Sequence, residues 1–513
     1  VMRRLTIVNF RENTFVAQPL GVGILIEGPS ASGNRIEGSY IGVDPSNTSG
    51  TSGNSVAGVQ ISGGADNNTI GGDTPAQRNV IAGNAWQNSG ARTNIYIAGT
   101  SSDASQGNVI RGNYIGTNPE GTARVTGGNS SHGVWLDENV VGTEIAGNLI
   151  AGFYHTSRAI SGILVDGGSS STYPRANVIR GNIFGLPASG QGPSNTNLYN
   201  TIGIEIRRSV DTVIGGTNAA DRNILSGNGY VPSGATYAGT SVGGNVAAIL
   251  ITDSTATGTR VEGNYIGLDV NGNPLGVSGG LPMGNLNHGV NITNNSTGTV
   301  VRNNVISNNR QDGVRISSNN NIVENNFIGT NTAGTASDAN FRNGLTSIRV
   351  DRGSGNTVRN NTVAVASGEL AAILLKPFSN TPVSNTTIQG NSIGVRSDGT
   401  PLAAQVIDNS SGVLIDQANA PATGNVSGTT IVGNRIGAVE IGVTISNNAS
   451  GGNQIRANTI GPTAGPAGQN TGFGIWLVNA SGNTIGGDTA ADGNTISGSA
   501  GHGIYLDGPG TGG

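Results

Sequence analysis

Two aspartates stand at the same place in successive copies of one short pattern: Asp137 closes HGVWLD at 132–137, and Asp166 closes GILVD at 162–166. If these stretches stack as neighbouring strands, the two carboxylates lie about 5 Å apart. That separation suits a calcium site or the carboxylate pair of a retaining glycosidase. The plain alternative is that both point to solvent, with Arg158 or Arg180 nearby. Asp137 and Asp166 are therefore the candidates for catalysis and for calcium; no other cofactor is expected. Tyr96 and Trp135 share the third position of the pattern in neighbouring copies, as do Trp476 and Tyr505. Such rings either stack on sugars or pack beneath a loop. Asp269-Val-Asn271-Gly-Asn273 opens like a calcium-binding loop, but Pro274 stands where glycine is needed and Gly280 where a chelating glutamate is needed. It reads as a turn.

What positions these residues is repetition. The pattern recurs in fifteen rows, from GILIE at 23–27 to GIYLD at 503–507. The first residue is small or Asn. The second is Ile or Val (Ile24, Val59, Ile95, Val134, Ile163 and on to Ile504), and the fourth is Ile, Leu or Val. The third varies freely: Leu25, Gln60, Tyr96, Trp135, Glu205, Arg315. Fixed apolar residues alternating with free ones make a strand with one buried face.

A second block, N/T-x-I/V-x-x-N-x-I, follows each row. Its first position reads Asn34, Asn79, Asn108, Thr143, Asn177, Asn223, Thr259, Thr299, Asn321, Asn356, Thr386, Thr429, Asn453 and Asn494. Five residues on stand Asn84, Asn113, Asn148, Asn182, Asn228, Asn264, Asn304, Asn326, Asn361, Asn391, Asn434 and Asn458, with Ser39 and Ser499 in the end rows. Asn tolerates left-handed backbone, and its amide can bond to the next along a stack, so these columns predict an asparagine ladder at a turn. Row spacing varies from 24 residues (289 to 313) to 45 (203 to 248), mostly after Ile-Gly, as in IGTNPEGTARVTGGNSS. A coil of short strands absorbs such variation by bulging at one corner. A further variation recurs at 68–79, 212–223 and 483–494 (NTIGGDTPAQRN and its relatives) and reads as an eleven-residue insert at a fixed place.

The expected fold is all-β: a right-handed parallel β-helix solenoid of about fifteen coils, one domain over 1–513, with an asparagine ladder and long loops at one corner. Glycine makes up 86 of 513 residues, yet no Gly-X-Y period supports a collagen reading. Net charge −4 and a single lysine, Lys376, argue against nucleic acid and anionic membranes as partners. Without cysteine there is neither disulfide nor thiolate metal site. No apolar run reaches the length of a membrane span. VMRRLTIVNFRENT is no complete signal peptide; LTIVNF reads as a strand, so the chain is expected to be a segment of a longer protein.

The rows resemble the repeats of the pectate-lyase-like β-helix superfamily. NTIGGDTPAQRNVIAGN with the IGTNPEGT loop is similar, more narrowly, to repeat arrays of large bacterial secreted surface and adhesin-like proteins. The resemblance implies an extracellular or cell-surface place; it fixes the fold and not the activity. Polygalacturonase-like members pair aspartates with Gly-His-Gly. Here Gly501-His502-Gly503 is present, but His502 shares its column with His132, His288, Ser161 and Phe473, and the accompanying motifs are missing.

Two functions follow. The first is an extracellular structural or adhesive surface protein that partners itself end to end, in filaments, since an open β-helix end templates pairing. The alternative is a polysaccharide-active lyase or glycoside hydrolase, or a non-catalytic polysaccharide-binding module.

Overall fold

The computed structural model describes residues 1–11, 21–46, 52–85, 93–125, 131–155, 159–192, 197–231, 236–237, 240–241, 246–278, 281–366, 371–378, 381–404, 410–417, 425–447, 451–461 and 469–508. The chain forms two compact units. One comprises Val1–Tyr265, Asp269–Asn271 and Asn285–Asn287; the other Ile266–Leu268, Gly272–Gly284 and His288–Gly513.

Each unit is a parallel β-helix, and each coil contributes one strand to each of three sheets. In the first unit, sheet I carries the rows, from Val22–Glu27 to Ala247–Ile251. Sheet II runs from Met2–Arg3 to Arg260–Glu262, and sheet III from Thr6–Ile7 through Tyr114–Ile115 to Ile224–Leu225. In the second unit, sheet I spans His288–Ile292 to Ile504–Asp507, sheet II Val300–Arg302 to Thr484–Ile485, and sheet III Val305–Ile306 to Thr495–Ile496. The expected strand in LTIVNF is Thr6–Ile7, paired parallel with Tyr40–Ile41.

Register is row on row. Val134 pairs with Ile163, Ile163 with Ile204, and Ile204 with Ile249. Each is fully buried, so the second and fourth columns build the interior stack. Burying such a side chain contributes roughly 1.5–3 kcal/mol, and no coil could bury its own alone.

The turn between sheets II and III holds the principal ladder. In the first unit it runs Ser39, Asn79, Asn113, Asn148, Asn182, Asn223, Asn264, and in the second Asn304, Asn326, Asn361, Asn391, Asn434, Asn458, Asn494. Along the asparagines the wiring repeats. The Asn148 Nδ2 donates to Asn182 Oδ1 at 3.0 Å and to the Ile110 carbonyl at 2.9 Å. Its Oδ1 accepts from the Asn113 backbone N–H and from Asn113 Nδ2. Every polar atom of a buried amide is thus satisfied, which burial requires.

Here the structure corrects the alignment read from sequence. Asn79, Asn223 and Asn494 belong to this ladder, not to the first column, whose members in their coils are Asn68, Thr212 and Asn483. Asn84 and Asn228 belong to a third ladder, at the turn after sheet III: Asn54 to Asn84 to Asn94, and Asn200 to Asn228 to Asn285. The cause is the insert. Residues 71–78 separate Ile70 from Asn79, where Arg111 and Gly112 alone separate Ile110 from Asn113. The motif therefore adds six residues, not eleven, and holds a 3-10 turn at Pro75–Gln77, repeated at Ala219–Asp221 and Ala490–Asp492.

The loops after sheet III differ in length from coil to coil. In the first unit, hairpin-like loops follow Ile115 and Phe184, and the loop after Leu225 carries an antiparallel pair of its own, Thr236–Tyr237 with Thr240–Ser241. Successive hairpins touch across the intervening coil: the Ala188 N–H donates to the Gly121 carbonyl at 2.8 Å, and the Val270 N–H to that of Gly190 at 3.0 Å. In the second unit the Ser337 N–H donates to the Ala403 carbonyl, and the Ala403 N–H to that of Thr335. A Cβ at Gly121 would stand 2.9 Å from the Tyr114 ring and 2.8 Å from Leu149 Cδ2, on two successive coils of sheet III. One hairpin therefore roofs two coils. A small apolar layer, Val43, Val80, Ala82 and Val125 with Tyr40 and Tyr114, lies under this roof.

Candidate functional site

Asp137 and Asp166 follow the paired residues Leu136 and Val165, so they share a column on adjacent coils as expected. Neither is simply turned to solvent. Asp166 is only 4% exposed. Both its oxygens are held by Arg208, with Nε to Oδ1 at 2.7 Å and Nη2 to Oδ2 at 2.8 Å, and the Gly168 N–H donates to Oδ1 as well. Arg208 reaches this point from the turn two residues after the strand Ile202–Ile206, with φ 34°. Arg180 is elsewhere, on sheet II with Glu144 and Asp221, and Arg158 lies outside the described residues. Asp137 accepts the Tyr96 hydroxyl at 2.7 Å. Burial pushes the Asp137 carboxyl above the usual range against the pull of that hydroxyl and of the Glu138 N–H, and the Asp166 charge adds to the rise. A calcium ion here would compete with a bidentate guanidinium. Among the described residues no group of three or more His, Asp or Glu side chains could hold a metal ion.

The first ring pair belongs to the same cluster. Tyr96 and Trp135 pack edge to face, centroids 5.6 Å apart, with His132 against Trp135. The Trp135 Nε1–H donates to the Asp166 carbonyl. Both polar tips are bonded inward, so this pair fastens adjacent coils. The second pair is arranged differently. Trp476 and Tyr505 are near parallel at 20° and 6.2 Å, and beside them Phe473 and His502 stack at 5° and 5.7 Å. These four half-buried or exposed rings form a ledge on the outer face of sheet I. His502, a variable column position in the sequence, thus gains a role as part of the ledge. Asp269 is a turn residue as expected, its Oδ1 accepting the Asn271 N–H at 2.9 Å; Gly280 lies outside the described residues.

Sequence reasoning missed two charged networks. On sheet I of the second unit, buried His288 meets Asp312 at 3.2 Å, Thr346 donates to Asp312, and Arg315 and Ser317 hold buried Asp351 with Arg349 close by. Burial opposes ionisation of Asp312, but His288, Arg349 and Thr346 together hold its carboxyl below the usual range. The signal was available, since Arg315 and Asp351 occupy the free third and the fifth columns. On sheet II of the first unit, Asp73, Arg111, Glu144, Arg180 and Asp221 make a continuous ladder of ion pairs at 2.7–3.1 Å. Its outer members come from the first two inserts, so only a correct alignment of the inserts reveals it.

Residues 283–490 match the family model described as a right handed beta helix region. No curated protein matches the chain in sequence. Among solved structures, the Dettilon tailspike protein is similar at 14% identity and TM-score 0.36, over 88% of this chain and 60% of the tailspike. The mannuronan C-5 epimerase AlgE6 A-module of Azotobacter vinelandii is similar at 13% and 0.35, over 88% of this chain and 90% of the module. PfbA, a surface adhesin of Streptococcus pneumoniae, is similar at 12% and 0.34, over 88% and 85%. The family match and the coil geometry agree on the fold: this chain is a right-handed parallel β-helix repeat protein.

Proposed function

We propose that the chain is an extracellular structural and adhesive surface protein, a β-helical scaffold that holds polysaccharide on its outer faces without cleaving it. One observation carries the choice. Asp166, which a carboxylate mechanism would need as nucleophile, is buried and bidentately bound by Arg208. A nucleophile must reach the substrate, and freeing this one would leave a buried carboxylate without its counter-charge, which is unfavourable. The aromatic ledge of Phe473, Trp476, His502 and Tyr505 supplies the binding surface, since rings offer large contact area to the faces of sugars.

The test incubates the protein with a panel of neutral and acidic polysaccharides. Gel retardation reads binding; new reducing ends and unsaturated uronate absorbance read cleavage. Retardation without cleavage, weakened about tenfold by Trp476→Ala, is the expected result. Turnover that disappears in Asp137→Asn would replace this reading with an enzymatic one. That second reading draws on the raised Asp137 carboxyl, a property suited to a general acid.

A further inference from the structure

The first two inserts enclose a cleft on sheet II. They follow the strands Thr69–Gly71 and Val213–Gly215. Between them lie Val109–Arg111, Glu144–Ala146 and Val178–Arg180, each paired with the next. Four strand steps of about 4.8 Å put the two walls about 19 Å apart between strand axes. The cleft holds about 210 Å³ and is lined by Asp73 and Ala220 from the walls and by Arg111, Ala146, Gly147 and Arg180 from the floor. The floor is low because its turns are glycine: among the described residues nothing lies within 4 Å of where a Gly147 side chain would begin.

We propose that this cleft is a second binding site, for a stretch of neutral linear polysaccharide. The inference rests on the polysaccharide-binding function proposed above and adds a place and a ligand class to it. The lining has no large apolar side chain, so an apolar ligand would gain little there. Its charges alternate along the floor. Arg111 bridges Asp73 and Glu144, and Arg180 bridges Glu144 and Asp221. Asp73 lines the cleft, and Glu144 and Asp221 beside it hold the same two guanidiniums, so a free anion finds both guanidiniums already paired and a free cation finds them in the lining; neither is favoured. What remains is a row of fixed donors and acceptors whose field is largely cancelled. A carboxylate has about four acceptor directions and a guanidinium five N–H donors, more than their mutual pairing uses. Vicinal hydroxyls of a neutral sugar match that supply. The bare glycine and alanine surface lets a sugar ring approach the backbone.

The experiment is calorimetric titration of the full chain with cello-, xylo- and manno-oligosaccharides and with an oligouronate, at low and high salt. Ala220→Trp fills the cleft from an exposed wall position without removing a charge; Trp476→Ala removes the ledge. Expected, with the ledge removed by Trp476→Ala, are binding of at least one neutral oligosaccharide, an affinity insensitive to salt, and a further loss of at least about tenfold when Ala220→Trp is added. Should Ala220→Trp misfold by circular dichroism, Glu144→Gln with Arg180→Gln gives the same readout. Unchanged affinity in the folded cleft variants overturns the site while leaving the adhesive reading intact. Binding only of the oligouronate, weakening with salt, overturns the ligand class. No binding of any glycan by the wild type overturns both the site and the function proposed above.

Discussion

Asparagine and threonine share the first column, and the structure shows that they are not equivalent there. Asn68 donates to Asn108 at 3.2 Å and to the Ala31 carbonyl at 3.0 Å. Among the described residues, the hydroxyls of Thr143, Thr259, Thr299, Thr386 and Thr429 are buried in the same column without a hydrogen-bond partner. An unpaired buried hydroxyl costs about 1–3 kcal/mol. Thr386→Val keeps the shape and removes the polar atom, so it should raise stability by up to about 1 kcal/mol, read as a higher denaturant midpoint at unchanged slope. A lower midpoint would mean that the hydroxyl is satisfied in solution. Asp137 makes a second residue-level case. Its folded carboxyl is raised, so the folded state holds a proton that the unfolded chain has lost, and stability falls as pH rises from the ordinary aspartate range through the folded value. Asp137→Asn should therefore stabilise at neutral pH, keep an acceptor for the Tyr96 hydroxyl, and lose its advantage in acid, where both states are protonated. Equal effects at both pH values would remove burial as the cause.

The ladder and the hairpin roof are properties of elements. Asn264 receives Asn223 Nδ2 and donates to the Ile214 carbonyl, both at 2.9 Å. Asn264→Ala should cost about 1–3 kcal/mol by stranding those groups, and an unmoved unfolding midpoint would remove the ladder from the account. The roof is tested by two glycines of similar backbone. Gly121 and Gly142 have φ +67° and +61°, but a Cβ at Gly121 would fall 2.7 Å from that of Ala188, whereas at Gly142 it meets nothing within 4 Å. Gly142→Ala should show only left-handed strain, about 1–2 kcal/mol; Gly121→Ala should cost clearly more. Equal losses would mean that the hairpins do not pack. Strand columns were legible in the sequence because an alternation of Ile and Val has one physical meaning. Ladder register was not, because the insert restarts with Ile-Gly-Gly and closes with Asn79 or Asn223, mimicking the start of the next block. The contact between loops two coils apart was missed for a related reason: aligning single coils hides it. Asp137 and Asp166 were correctly placed in one column, yet the partner that decides their chemistry, Arg208, sits on a turn after the following row, where no strand period points to it.

At the scale of the molecule, each unit is quasi-one-dimensional. Pairings in sheets I, II and III join each strand to the next coil, and among the described residues the hairpins after sheet III reach one coil further. Stability in such an array is a sum of coil terms and nearest-neighbour terms, so a defect should loosen its neighbours and little else. Asn148→Ala tests this. Its amide joins Asn113 to Asn182 and reaches the Ile110 carbonyl. Hydrogen exchange should quicken at residues 109–115 and 178–184, the strands on either side, and stay unchanged at 322–328 and 357–363 in the other unit. That pattern would also explain how this architecture tolerates loops of such uneven length: an insertion is felt by the coils it touches and by no others. If exchange instead quickens uniformly along the chain, the array opens only as a whole. Coil terms would then lose their meaning, and the cost of each ladder asparagine would have to be assigned to the entire molecule.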